Sequence, residues 1–261
     1  MKSLRLYILI TIVITSCILN GCSRSGTVEN MPPAVDEASI EEALEHAAAG
    51  FNNRQDLSKL REAVDILARA RNPESRNFQV ETQFAKYNYF LGIHTDNEKE
   101  AEEAFVKGRD AGKIASRVQP SQPDGFFWYG ANLGELSRLS PVTVGLRSVD
   151  DIKEAMNKVI ELQPDFQGAS AYDALGRIEL ATRITGGKAA NAVQYLEKGV
   201  TIDDDNSNLH LHLALAYIAV NRDKEAKAQL EYVINMRPNQ DYLPEHQVAV
   251  AAAKKLLRTK F

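Results

Sequence analysis

The sequence has little cysteine, a single tryptophan and no excess of basic charge. Its two cysteines, Cys17 and Cys22, stand near the start, so the rest of the chain has no thiol for a disulfide, a nucleophile or a cysteine–metal site. The formal net charge of −4 excludes the large basic field that binds nucleic acid or anionic lipid directly. The one long apolar run, residues 6–18, is shorter than the ~20 residues that cross a bilayer. A fold without crosslinks must rest on its core, for which 261 residues suffice.

A leader is predicted at residues 1–21. Lys2 and Arg5 precede the apolar run, and small residues close it before Cys22, as in a secretory signal. The closing residues Leu-Asn-Gly-Cys resemble the lipobox of bacterial lipoproteins. That resemblance implies cleavage before Cys22, acylation of Cys22 with chains such as palmitate, and, because Ser23 follows, an outer-membrane anchor facing the periplasm. The alternative is an ordinary signal that happens to contain a cysteine.

Residues 22–35 predict a lipid-anchored flexible tether, since they are polar, lack an apolar period and end in Pro-Pro. Removal of the leader takes away two basic residues and leaves 29 basic and 35 acidic residues, a net charge of −6. Residues 36–261 are rich in alanine, leucine, glutamate and lysine, with glycine and proline between periodic segments. This pattern predicts an almost wholly helical domain.

The repeat is clearest in residues 208–238, which predict two helices, a polar turn at 221–223 and a closing proline. The segment resembles the tetratricopeptide (TPR) pattern, with consensus positions at Leu213, Ala214, Tyr217, Ala226, Leu230, Val233 and Pro238. The two preceding units need four and eight extra residues between their helices. The fold class predicted is all-α, a right-handed α-solenoid of about five TPR-like helix pairs plus a C-terminal capping helix. A non-repetitive helical bundle is the alternative.

Three short stretches carry a family resemblance: residues 127–131 (FWYGA), 160–164 (IELQP) and 185–188 (TGGK). With the lipobox and tether, they resemble the TPR-type T component of TRAP transporters, the TatT-like lipoproteins. The same marks are similar to the eukaryotic regulator-of-microtubule-dynamics family, with the resemblance covering about residues 110–250. The first resemblance implies a subunit of a TRAP-type uptake system, a periplasmic substrate-binding protein as partner, an apolar solute in a cleft, and a homotrimer. The alternative function is a scaffold or adaptor lipoprotein for envelope assembly or secretion.

Resemblance to TPR domains also implies which residues line a ligand or partner groove, at positions 2, 5, 9 and 12 of each first helix. The candidates are Phe126, Tyr129, Leu133, Leu136, Arg177, Leu180, Leu211, Leu215 and Ile218, with Ser170, Asp173 and Asn208 at the remaining positions. Such a groove would be mainly apolar. The competing interpretation is that these side chains form ordinary core.

No motif indicates catalysis, so an enzyme, a cofactor and a metal are not expected. Residues 186–188 (GGK) lack the glycine and hydroxyl residue of a phosphate loop, because Thr182 and Ala189 occupy those positions. Residues 203–208 suggest a calcium loop but lack its turn glycine and bidentate glutamate. His210 and His212 point to different sides of a helix and cannot share a metal.

Overall fold

A computed structural model describes residues 37–261 of the chain. The predicted leader (1–21) and tether (22–35), with Cys22, lie outside the described residues. Within residues 37–261, no helix has the length and hydropathy required to span a bilayer.

The part of the chain that the structure describes is built from helices and contains no strand. Its eleven α-helices are α1 (Glu37–Asn52), α2 (Leu57–Ala70), α3 (Phe78–His94), α4 (Glu98–Val118), α5 (Pro123–Leu139), α6 (Leu146–Leu162), α7 (Phe166–Ala181), α8 (Ala189–Ile202), α9 (Ser207–Ala219), α10 (Asp223–Asn235) and α11 (Leu243–Lys260). Each packs mainly on its neighbours in sequence, as expected of a solenoid. Five helix pairs and a closing helix confirm the predicted fold class.

The last repeat shows why these residues pair. Six of its seven predicted consensus residues are at most 6% exposed, the exception being the closing Pro238. The polar turn between α9 and α10 places Asn221 in the left-handed region (φ 60°), which asparagine tolerates better than most residues. Ala249 and Ala253 of α11 then complete the core of this repeat. The closing helix therefore covers an apolar face that the last pair would otherwise expose.

Close helix packing depends on small residues at the crossing of α4 and α5. A Cβ on Gly112 would lie 2.5 Å from the backbone nitrogen of Tyr129, and a Cβ on Gly125 would lie 2.2 Å from that of Ser116. The two backbones touch directly at these points. This contact fixes α5, which carries much of the site described below.

Two helix starts are irregular. A π-helical turn at Pro141–Gly145 leads straight into α6 at Leu146, and Ser148 is buried. At the other, α7 begins at Phe166, but residues 167–169 adopt left-handed angles, and the regular right-handed helix follows them. The start of α7 depends on contacts with distant residues, which local periodicity does not contain.

Candidate functional site: a cavity lined by the first helices of the pairs

A cavity among the described residues has a volume of about 990 Å³. It lies against α3, α5 and α7, the first helices of three successive pairs. Residues of α6, of the α8–α9 connection with the start of α9, and of the approach to α11 with its first turn also line it: Val149, Ile152, Met156, Asp203, Asp205, Asn206, Ser207, Asn208, Asn239, Tyr242, Glu245 and His246. The Pro141–Gly145 turn and the connection after α7 contribute further residues. We call this space the inner cavity.

One wall of the inner cavity is aromatic. Tyr89 and Phe90 of α3 meet Phe127 and Trp128 of α5, with ring centroids 5.7 Å apart for Tyr89–Trp128 and 6.2 Å apart for Phe90–Trp128. Tyr89 is half-buried, and its desolvation raises its pKa to about 12, so its phenol stays neutral at physiological pH. We call these four residues the aromatic wall. Such a surface favours an apolar or flat ligand group.

Charged residues of α5 and α7 form a band beside the aromatic wall. Arg138 donates from Nε to Oε2 of Glu135 over 2.7 Å, and Nη2 of Arg177 lies 3.6 Å from the other oxygen of Glu135. Asp173, one turn before Arg177, accepts a hydrogen bond of 2.6 Å from Nδ1 of His212 on α9. The band therefore combines both signs of charge at the surface of one cavity.

The carboxylate of Asp173 is held in its charged form. Burial by itself raises the pKa of Asp173, but the His212 imidazole and the Arg177 guanidinium outweigh this effect and bring the pKa below its ordinary value. Burial likewise opposes the charge on Arg177, whereas the charge of Asp173 and that of Glu135 raise its pKa. Both groups are ionised at neutral pH.

The segment 239–246, which leads into α11 and includes its first residues, brings distant parts of the chain together at the cavity. The Glu245 carboxylate lies 3.4 Å from Nη2 of Arg54, a residue of the α1–α2 turn whose guanidinium also stacks on the rings of Phe51 and Phe90. The hydroxyl of Tyr242 donates to Oε1 of Gln167 over 2.6 Å. The segment is thus tied both to the first helix pair and to the start of α7.

The left-handed start of α7 is held by Asn206. Its Nδ2 donates to the carbonyl of Gly168 over 2.7 Å, while its Oδ1 accepts from the backbone N–H groups of Asn208 and Leu209 at the start of α9. Gly168 has a φ of 64°, and the flanking Gln167 and Ala169 are also left-handed, a conformation that costs L-residues roughly 1–2 kcal/mol each. One asparagine side chain therefore caps α9 and stabilises the strained turn at the cavity edge.

Of the nine groove residues proposed from sequence, Arg177 lines the inner cavity, and Ser170, Asp173 and Asn208 of the same predicted set line it as well. Leu133, Leu136 and Leu211 are buried in the helix-packing core. Phe126, Tyr129, Leu180 and Ile218 are half-buried against that core, and Leu215 is half-buried outside the cavity lining.

Other lining residues had no signal in the consensus positions. Tyr89, Glu135 and Glu245 come from helix positions that the repeat pattern does not assign to a groove. Glu135 did carry a local signal, because it stands in an otherwise apolar stretch of α5 and is 8% exposed. A nearly buried carboxylate needs partners, which Arg138 and Arg177 supply.

The motifs that sequence analysis set aside have structural roles. Residues 203–208 form the turn that ends in the Asn206 cap, and Gly186 occupies a turn with φ 120°. His210 is buried and bonds to Gln229 and to the carbonyl of Asp204. Within residues 37–261, no group of three or more histidine or acidic side chains is arranged to hold a metal ion.

Comparison with known proteins shows to which family the chain belongs. The family "Regulator of microtubule dynamics protein 1-3" matches residues 43–182, more than half of the chain. The chain belongs to this family. A tetratricopeptide-repeat model matches the following residues 183–243. Comparison with curated proteins gives no significant match.

A solved TPR structure shares the fold. The chain is similar to TTC0263, a thermophilic TPR protein of Thermus thermophilus, with a TM-score of 0.60 and 16% identity over 83% of this chain and 100% of that chain. It also resembles pilF of Pseudomonas aeruginosa, with 17% identity, a TM-score of 0.48 and coverage of 85% and 90%. The family match begins well before residue 110, where the resemblance in sequence was expected to start. Repeats of this type generally serve as binding scaffolds for other proteins and not as enzymes.

Proposed function

We propose that the protein is a lipid-anchored, periplasm-facing subunit of a TRAP-type solute uptake system. In this role it binds a substrate-binding protein and shelters an apolar or amphipathic solute in the inner cavity. The observation that carries the proposal is the cavity itself, whose volume of about 990 Å³ lies at the upper end of the range for small-molecule sites. The lipobox-like residues before Cys22 support the location.

The lining of the cavity suits a ligand with two unlike ends. The aromatic wall offers apolar contact, and the charged band with Arg177 and Glu135 lies on the same cavity. Sites of this kind bind mainly through apolar surface, while a few polar groups orient the ligand.

The ligand is tested by native mass spectrometry on the full chain carrying Cys22→Ser, which needs no detergent that could enter the cavity. We expect a co-purified apolar or amphipathic molecule. Adding Gly134→Leu should remove it, because Gly134 lines the cavity and a Cβ there meets no atom within 4 Å, so the leucine side chain would occupy ligand space. Gly134→Ala is the matched control and should retain the molecule. An empty cavity in the parent, or a molecule that persists in Gly134→Leu, would contradict the solute role.

The partner is tested by crosslinking the lipidated protein in intact cells and identifying what it captures. Capture of a TRAP-type substrate-binding protein supports the proposal. Capture of envelope-assembly or secretion proteins without one would overturn it in favour of the alternative, a scaffold lipoprotein, which the TPR-type fold also suits.

A further inference from the structure

The lining of the inner cavity contains more acidic than basic side chains. Its two guanidinium groups, those of Arg138 and Arg177, stand against five carboxylates, which gives a formal charge of −3 when histidine is counted as neutral. The carboxylates are those of Glu135, Asp173, Asp203, Asp205 and Glu245. A cleft lined mainly by charge of one sign concentrates ions of the opposite sign. The charge of this cavity therefore favours a cation.

Part of this acidic excess acts on the aromatic wall. Desolvation is the main reason that the pKa of Tyr89 is raised to about 12, and the charges of Glu135, Asp173 and Glu245 add to the increase. The charge of Arg177 acts in the opposite direction. These three carboxylates come from α5, α7 and α11, so separate parts of the array direct negative charge toward one aromatic ring.

Two of the three carboxylates already have close donors. Glu135 accepts a hydrogen bond of 2.7 Å from Nε of Arg138, and Asp173 accepts one of 2.6 Å from Nδ1 of His212. Both bonds are of the short kind that charged groups form. A ligand would have to compete with them for these two carboxylates.

Glu245 differs because one of its oxygens lacks a donor. Its Oε2 lies 3.4 Å from Nη2 of Arg54, whereas its Oε1 is buried and accepts no hydrogen bond from the described residues. Arg54 reaches Glu245 from outside the cavity lining, and its guanidinium is held against the rings of Phe51 and Phe90. A buried acceptor without a donor costs free energy, and a ligand that supplies an N–H group would recover it.

We propose that the inner cavity binds an amphipathic amine, whose ammonium group donates to Glu245 and whose apolar body lies along the aromatic wall. The inference rests on the ligand-binding role proposed above and names the chemical class of the ligand. The wall itself also favours a cation, because the faces of tyrosine and tryptophan rings attract positive charge. Arg54 is the internal cation that competes with the ligand for Glu245.

The test measures binding of octylamine, octyltrimethylammonium, octanol and octanoate to the full chain carrying Cys22→Ser by titration calorimetry at neutral pH, where octylamine is protonated. We expect octylamine to bind most tightly, because it alone combines a positive charge with N–H donors. Glu245→Gln should weaken octylamine binding about tenfold or more, the size expected for a charge-assisted hydrogen bond, and leave octanol unchanged.

Arg54→Gln distinguishes a ligand anchor from a purely structural ion pair. It breaks the same pair from the other side but leaves Glu245 negative, so octylamine should bind more tightly to this variant than to the parent. If the pair served only to hold the segment 239–246 in place, both variants would weaken octylamine binding. That result would overturn the inference.

Glu197→Gln is the matched control, since Glu197 pairs with Arg222 and does not line the cavity. It should change none of the affinities, and circular dichroism checks that each variant is folded. Octylamine binding that is insensitive to Glu245→Gln, or tighter binding of any other probe, would overturn the amine inference while leaving the cavity as a ligand site. Failure of all four probes to bind would refute the ligand site as well.

Discussion

Glycines in neighbouring helices have opposite surroundings, although both stand in helix interiors. Gly134 of α5 faces open cavity, whereas Gly112 of α4 abuts the backbone of Tyr129. Alanine favours the helical backbone over glycine by roughly 0.5–1 kcal/mol, so the local preference is the same at both positions. Only the surroundings differ.

We therefore predict opposite effects on stability. Gly134→Ala should raise the free energy of unfolding by roughly 0.5–1 kcal/mol. Gly112→Ala should lower it by about 1–3 kcal/mol, because the new methyl group forces α4 and α5 apart. Urea denaturation measures both. Equal changes in the two variants would contradict the packing described here.

Glu100 makes the free energy of unfolding depend on pH. Arg61 donates two hydrogen bonds to it, over 2.6 and 2.8 Å, and Thr95 donates another. The Arg61 and Thr95 bonds lower the pKa of Glu100 from 4.5 to about 2. A carboxylate with a depressed pKa stabilises the fold fully above its unfolded value, and this stabilisation is lost as the pH falls toward the folded value.

We predict that the free energy of unfolding falls as the pH drops from about 4.5 toward 2, and that Arg61→Met makes this slope shallower. Chemical denaturation across this pH range provides the measurement. Lys59→Met is the control, since Lys59 lies on α2 as Arg61 does but pairs with Glu62 at the surface. An identical slope in Arg61→Met and the parent chain would show that Glu100 does not contribute.

At the scale of elements, helix starts show which contacts follow from the local sequence and which depend on the tertiary structure. Asn97 caps α4 by accepting from the N–H groups of Lys99 and Glu100, as its sequence position predicts. The Glu100 side chain stands where a capping box would be completed, but it accepts hydrogen bonds from Arg61 and Thr95 instead. Asn206 caps α9 in the same local manner but also holds Gly168, 38 residues away.

Asparagine-to-aspartate changes separate these two roles. Aspartate keeps the acceptor oxygen that caps a helix but loses the Nδ2 donor. Asn206→Asp should therefore lower the free energy of unfolding by about 1 kcal/mol or more, since the carbonyl of Gly168 loses its donor. Asn97→Asp is the matched control and should be neutral or slightly stabilising, because a negative charge favours a helix N-terminus. Thermal unfolding compares the two, and equal effects would contradict the role of Asn206 in the α7 start.

At the scale of the whole molecule, contacts far apart in sequence assemble the cavity. Arg54 and Glu245 are 191 residues apart, and Tyr242 and Gln167 are 75 apart. Neither pair belongs to one repeat. The segment before α11 lines a cavity whose main walls come from three earlier helix pairs, so the site is a property of the array and not of any repeat within it.

The predicted leader and Cys22 make the proposed lipid anchor testable. Cys22→Ser should abolish incorporation of labelled palmitate and release the protein from the membrane fraction, because several acyl chains are needed for stable anchoring. Fractionation and labelling of cells producing the parent and variant chains provide the measurement. Cys17→Ser is the control and should leave both unchanged. Membrane retention of unlabelled Cys22→Ser would contradict the lipoprotein assignment.

The sequence by itself determined the helix pairs, because the apolar period, the caps and the small residues at crossings are local features. It predicted the last repeat nearly residue by residue, and the resemblance to TPR domains placed Arg177 among nine candidate groove residues. Only the tertiary structure decided the site. The inner cavity depends on the left-handed start of α7, the turns inserted at Pro141–Gly145 and after α7, and the closing segment before α11. The start of α7 and the segment leading into α11 are stabilised by partners tens to hundreds of residues away. An apolar period along one helix does not specify which distant residue will meet it.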